Sequence, residues 1–129
     1  MTSPITALYA AFAGLMLLAL AALVVRARWR YRTPFGVGSE PGMERAVRVH
    51  ANFIEYVPLA LVLMLLAELN GVDGTALHGA GILLLASRGL HAFGLSRSAG
   101  RSFGRFYGTA GTWLVLLGLS AALLGRALA

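Results

Sequence analysis

A chain of 129 residues that is 58% hydrophobic and only 12% charged, with a mean hydropathy of +0.75, is composed for lipid, since a soluble domain is roughly half apolar and a quarter charged. The length suits one domain, and the absence of cysteine excludes disulfides, Cys-based zinc sites and a protein thiol nucleophile. The net charge of +6 comes entirely from arginine, with no lysine, and the arginines cluster between apolar runs, as membrane topology places them, so the basic balance does not indicate nucleic acid.

Spanning the hydrocarbon core takes about 20 apolar residues as a helix. The first such run, Ile5 to Val25, predicts a helix over about 4–30. It has no basic leader and is followed by Arg26, Arg28, Arg30 and Arg32 instead of a small-residue cleavage site, so it reads as a retained helix and not a signal peptide. Pro34, Gly36, Gly38, Pro41 and Gly42 then mark a loop. A second helix over 41–69 has a polar lead-in and an apolar second half, with Pro58 expected to free a carbonyl near Ile54. Asn70-Gly71 and Asp73-Gly74 mark a tight turn, after which a third helix over about 76–96 carries Arg88 and His91 inside the run LLLASRGLHAFGL. The fourth helix covers about 104–127, and Gly100, Gly104 and Gly108 repeat every four residues before and into it, the spacing that lets membrane helices approach closely. No run alternates with period two, so the expected fold class is all-α: an integral membrane bundle of four transmembrane helices forming one domain, 1–129. The two Arg-bearing loops predict a cytoplasmic side, with both termini outside and Arg126 as an exception.

The polar residues of the second helix need explaining. In ERAVRVHANFIEYVP, Glu44 to Pro58, residues Arg48, Asn52, Glu55 and Tyr56 share one helical face, and Arg45 extends it by a turn. Arg88 and His91 share a face of the third helix. An arginine or glutamate inside a membrane helix costs about 2.5–3.5 kcal/mol on insertion scales, so such groups face the bundle interior or a wet cavity and take partners. One bland account is that Arg48 or Arg88 pairs with Glu55 to pin two helices. It leaves positive charge over, together with an amide, a phenol and an imidazole, and that surplus suits an anionic, amide-bearing ligand arriving from the cytoplasmic side. His50, His78 and His91 are too scattered for a metal site, and no Ser-His-Asp arrangement forms, since Asp73 lies in the opposite loop.

The pattern E-R-x-x-R-x-H-x-N-x-x-E-Y-x-P, spelled by Glu44, Arg45, Arg48, His50, Asn52, Glu55, Tyr56 and Pro58, resembles the signature of the MAPEG family, the membrane-associated proteins of eicosanoid and glutathione metabolism, and within it the small bacterial members. The resemblance covers nearly the whole chain. It implies a homotrimer in the bacterial inner membrane, with glutathione as co-substrate between subunits on the cytoplasmic side. It further implies that Arg28 (with Arg26 the alternative), Arg48, Asn52, Glu55, Tyr56, Arg88 and His91 hold the tripeptide, Glu55 taking its ammonium group. The catalytic guanidinium that polarises the thiol is matched by Arg101, with Arg105 the alternative. A thiolate so formed would attack a lipophilic electrophile or peroxide coming from the bilayer. His91 and Leu95 stand where several eicosanoid enzymes carry tyrosines, which argues against a leukotriene-like substrate. The expected function is therefore a glutathione-dependent membrane transferase or peroxidase; the alternative is a non-catalytic lipid-binding or scaffold protein of the same fold.

Overall fold

A computed structural model describes residues 2–97 and 103–129. Its helices are α1 (Pro4–Tyr31), α2 (Pro41–Leu69), α3 (Gly74–Arg97) and α4 (Phe103–Leu128). Leucine and alanine dominate them, both strong helix formers, and a helix satisfies its own backbone where lipid offers no hydrogen bonds. Pro4 and Pro41 open α1 and α2 in the first turn, where a missing N–H is no loss. Pro58 interrupts one interior bond of α2 without ending it.

The helix ends are built by local chemistry. α1 stops where Arg32 takes a left-handed conformation (φ 52°) and the Thr33 N–H donates back to the Arg28 carbonyl at 3.1 Å, a Schellman-type ending. α2 stops the same way around Gly71 (φ 72°), with the Val72 N–H donating to the Ala67 carbonyl at 3.0 Å. Asp73 Oδ2 then accepts from the N–H groups of Thr75 (2.9 Å) and Ala76 (3.3 Å), capping α3. The turn signalled by Asn70-Gly71 and Asp73-Gly74 is thus formed by glycine geometry at one residue and a carboxylate cap at another.

The helices run up-down-up-down. α2 and α3 form the centre, with α1 packed on one side and α4 on the other, and α1 and α4 do not meet among the described residues. Glycines set the closest approach. A Cβ placed on Gly104 would lie 2.6 Å from the Leu90 carbonyl, and one on Gly108 would lie 2.6 Å from the Ser87 carbonyl. These two positions belong to the predicted small-residue stripe, which continues to the buried Gly111; Gly100 lies outside the described residues.

The outside of the bundle is apolar and the inside is partly polar, the reverse of a soluble domain. Leu15, Leu18 and Leu117 are about two-thirds exposed (64, 67 and 67%), while Ser87, Arg88, His91 and Thr112 are buried. Continuous exposed apolar surface of this kind marks a membrane or partner interface. By length and composition α1, α2 and α4 are each able to cross a membrane. α3 is long enough at 24 residues but falls short in hydropathy. Part of the shortfall is Ser87, Arg88 and His91, all of which are turned inward.

Candidate functional site

α2 places its polar stripe against α3 and the start of α4. Arg88, only 2% exposed, crosses from α3 to α2 and donates through Nη1 to Asn52 Oδ1, while the Asn52 carbonyl lies 3.5 Å from the same nitrogen. Its Nη2 is 3.5 Å from the Gly108 carbonyl on α4, an approach that depends on Gly108 having no side chain. The Gly108 carbonyl also accepts from Thr112 Oγ1 at 2.8 Å. The Arg88 guanidinium stands 5.5 Å from the centre of the Tyr56 ring, within cation–π range, and the Tyr56 hydroxyl accepts from Trp113 Nε1 at 3.2 Å. A buried arginine therefore ties three helices together through an amide and backbone oxygens and not through a carboxylate, while its Nε has no hydrogen-bond partner among the described residues.

Two cavities lie beside this network. The first, about 280 Å³, is lined by Pro41, Glu44, Arg45, Arg48, Asn52, His91 and Arg105. Three guanidiniums against one carboxylate make it an anion site in character. The second, about 1050 Å³, is lined chiefly by Phe103, Phe106, Tyr107, Thr109, Ala110 and Trp113 and is mainly apolar. Asn52, His91 and Arg105 line both, so the polar and apolar spaces share a seam.

The residues expected from the sequence fall into three groups. Arg48, Asn52, His91 and Arg105 reach the polar cavity. Glu55, Tyr56 and Arg88 stand behind or beside it. Glu55 pairs with Arg48 across 3.8 Å, both side chains about half exposed, so the pair lies within α2 and pins no second helix. Arg28 sits apart: its Nη1 donates to the carbonyls of Thr33 (2.9 Å) and Gly36 (3.0 Å), holding the α1–α2 loop, and within the single chain it lines neither cavity. Arg101 lies outside the described residues. No group of three or more metal-ligating side chains forms among the described residues.

Sequence reasoning passed over the aromatic wall. Phe103, Phe106, Tyr107 and Trp113 recur at helical spacing on one side of α4, a signal that was present but is shared by any lipid-facing helix. It also gave no roles to Glu68 and Arg126. Glu68 accepts from the N–H groups of Ile5 (2.9 Å) and Thr6 (2.7 Å) and so caps α1 from the end of α2. Arg126 donates to the carbonyls of Asn70 (2.5 Å) and Gly71 (2.8 Å) at the end of α2.

A helical bundle with an apolar exterior, a buried arginine network and a cationic cavity at one end defines an integral membrane protein with a polar cavity. The chain matches the model of the MAPEG family over residues 6–125 and belongs to that family. It is 40% identical over 113 residues to the "Inner membrane protein YecN" of Escherichia coli (strain K12), an alignment covering 88% of this chain and 85% of that protein. The protein of the same name from Escherichia coli O6:H1 is similar to the same extent.

Proposed function

We propose that this protein is a glutathione-dependent transferase or peroxidase that joins the thiol of glutathione to, or uses it to reduce, a lipophilic electrophile. The observation that carries this reading is the seam. A cationic cavity and an aromatic one meet at Asn52, His91 and Arg105, which suits a reaction between a polar anion and an apolar partner. Glutathione brings two carboxylates, an ammonium group, two amides and a thiol. Arg45 and Arg48 match the carboxylates, and Glu55 or Glu44 matches the ammonium. Arg105 matches the sulfur.

The chemistry follows from charge. A free thiol titrates at about 8.5, and an adjacent guanidinium favours the thiolate. The thiol proton leaves to water through the polar cavity. In conjugation the sulfur lone pair forms the new bond to the electrophilic carbon, and the displaced electron pair departs on the leaving group. With a hydroperoxide it attacks the peroxide oxygen, the O–O bond breaks, and the alkoxide leaves and takes a proton from water. A second glutathione then converts the sulfenic acid to disulfide and water. Arg105 is the guanidinium at the seam; Arg101, the first match by resemblance, lies outside the described residues and stays a candidate for the same role. The apolar cavity would receive the electrophile from the bilayer.

In this reading α3 is a fourth membrane span whose polar residues face inward. Three chains assemble as a homotrimer, and Arg28, remote from the cavity of its own chain, serves a neighbour's. The protein lies in a bacterial inner membrane, as the name of its Escherichia coli relative says of that protein. The polar cavity faces the cytoplasm and both termini lie outside.

The test is turnover of glutathione with chlorodinitrobenzene and with a lipid hydroperoxide by purified protein in detergent. The expected result is conjugation or reduction that Arg105→Ala or Arg101→Ala abolishes while glutathione binding survives. Absence of both activities, with binding of anionic lipid instead, would favour the scaffold reading.

A further inference from the structure

The amide of Asn52 has two ends of opposite chemistry, and the structure shows which end is taken. Arg88 donates to Asn52 Oδ1. A guanidinium carries only donors, so the atom it meets on the amide is the oxygen. Arg88 is itself held by the Gly108 carbonyl and the Tyr56 ring and is 2% exposed. It lines neither cavity, whereas Asn52 lines both. The nitrogen Nδ2, with two N–H donors, is therefore the end left to the seam.

We propose that Arg88 is a positioning residue. By holding Oδ1 it presents Asn52 Nδ2 to the sulfur of the thiol co-substrate, and this donor favours thiolate over thiol. The inference rests on the glutathione reading above. With the tripeptide in the polar cavity and the electrophile in the apolar one, the reacting sulfur lies where the two meet, and the described residues lining both are Asn52, His91 and Arg105. At this step only the S–H bond breaks, and its proton passes to water. Arg88 touches no reactant; its effect on the sulfur runs through the amide.

Asn52→Asp separates this role from a structural one. Aspartate is close in shape and accepts from Arg88 at least as well, so it would serve if Asn52 existed only to satisfy that buried charge. It lacks the N–H donors. Ultraviolet titration of bound glutathione should show about tenfold less thiolate in Asn52→Asp than in wild type at a fixed pH below the thiol pKa. Its melting temperature should match wild type, and because Asn52 lines the binding cavity its affinity for S-methylglutathione, which cannot form a thiolate, should fall, but by less than its affinity for glutathione. Arg88→Met supplies the second arm, because it keeps the amide but releases it to present either end. Its thiolate fraction should also fall, with the loss appearing in kcat more than in KM. If wild type generates thiolate and both variants do so equally well, the positioning role is overturned while the glutathione reading stands. If wild type leaves the thiol titration unmoved, both fall together.

Discussion

At the end of the bundle where both termini lie, Glu68, Asp73 and Arg126 each meet the backbone of a helix end, whereas at the opposite end Arg45, Arg48 and Arg105 surround a cavity with Glu44 as its one carboxylate. The first arrangement is closed. Its carboxylates sit on free N–H groups at the starts of α1 and α3, its guanidinium sits on free carbonyls at the end of α2, and each charge matches the local helix dipole. The second arrangement is open. Its charges line a cavity, Arg48 while also pairing with Glu55, and its most buried arginine is anchored by an amide. The contrast separates charge bonded to helix ends from charge that lines a cavity, which composition alone does not do.

The largest expected effect is at the open end. Arg105→Ala, or Arg101→Ala if that residue carries the role, should lower kcat for thiol conjugation by about 100-fold to 1,000-fold, the range for removing one preorganised stabilising donor. The melting temperature in detergent should stay within a few degrees. A variant that melts early without a specific loss of turnover would make the open end structural too and erase the contrast.

Next is the packing on which Arg88 depends. Gly108→Leu drives a side chain into the Ser87 carbonyl and His91, and overpacking of this kind typically costs about 1–3 kcal/mol. Unfolding in mixed detergent should show that loss, and glutathione affinity should fall with it because the Arg88–Asn52 network shifts. Gly118→Ala, which meets nothing nearby, is the control and should be neutral.

A smaller effect belongs to the closed end. Glu68→Ala leaves the Ile5 and Thr6 N–H groups without their acceptor and should destabilise by about 1 kcal/mol, the usual size of a lost N-terminal cap. Ligand affinity should not change. Coupling between this substitution and binding would show that the two ends are not independent. The smallest stability effect is at the Arg48–Glu55 pair, half exposed and 3.8 Å apart, which should contribute about 0.2–1 kcal/mol at most in a double-mutant cycle.

How far these features were legible depended on periodicity. Four helices followed from apolar runs and from Pro, Gly and Asp punctuation, and the shared face of Arg48, Asn52 and Tyr56 followed from helical spacing. The Gly104–Gly108 contact was legible because small residues every four positions have one common use in membrane helices. Partners across helices were not legible. Arg88 looked like a mate for Glu55, yet it meets Asn52 and two backbone carbonyls, one of them on α4, which Gly104 and Gly108 bring close to α3. Arg126 looked like an exception to a charge rule for a similar reason: the carbonyls it satisfies lie 55 and 56 residues away.

The central proposal is that the open end binds a thiol tripeptide through the guanidiniums that line its cavity. It is tested most directly by calorimetric titration of glutathione into the detergent-purified protein, wild type beside Arg48→Ala and Glu68→Ala. The account predicts micromolar-to-millimolar binding that Arg48→Ala weakens by about tenfold, the loss of one charge-assisted contact, and that Glu68→Ala leaves intact. Absence of binding in wild type, or equal weakening by both substitutions, would contradict it.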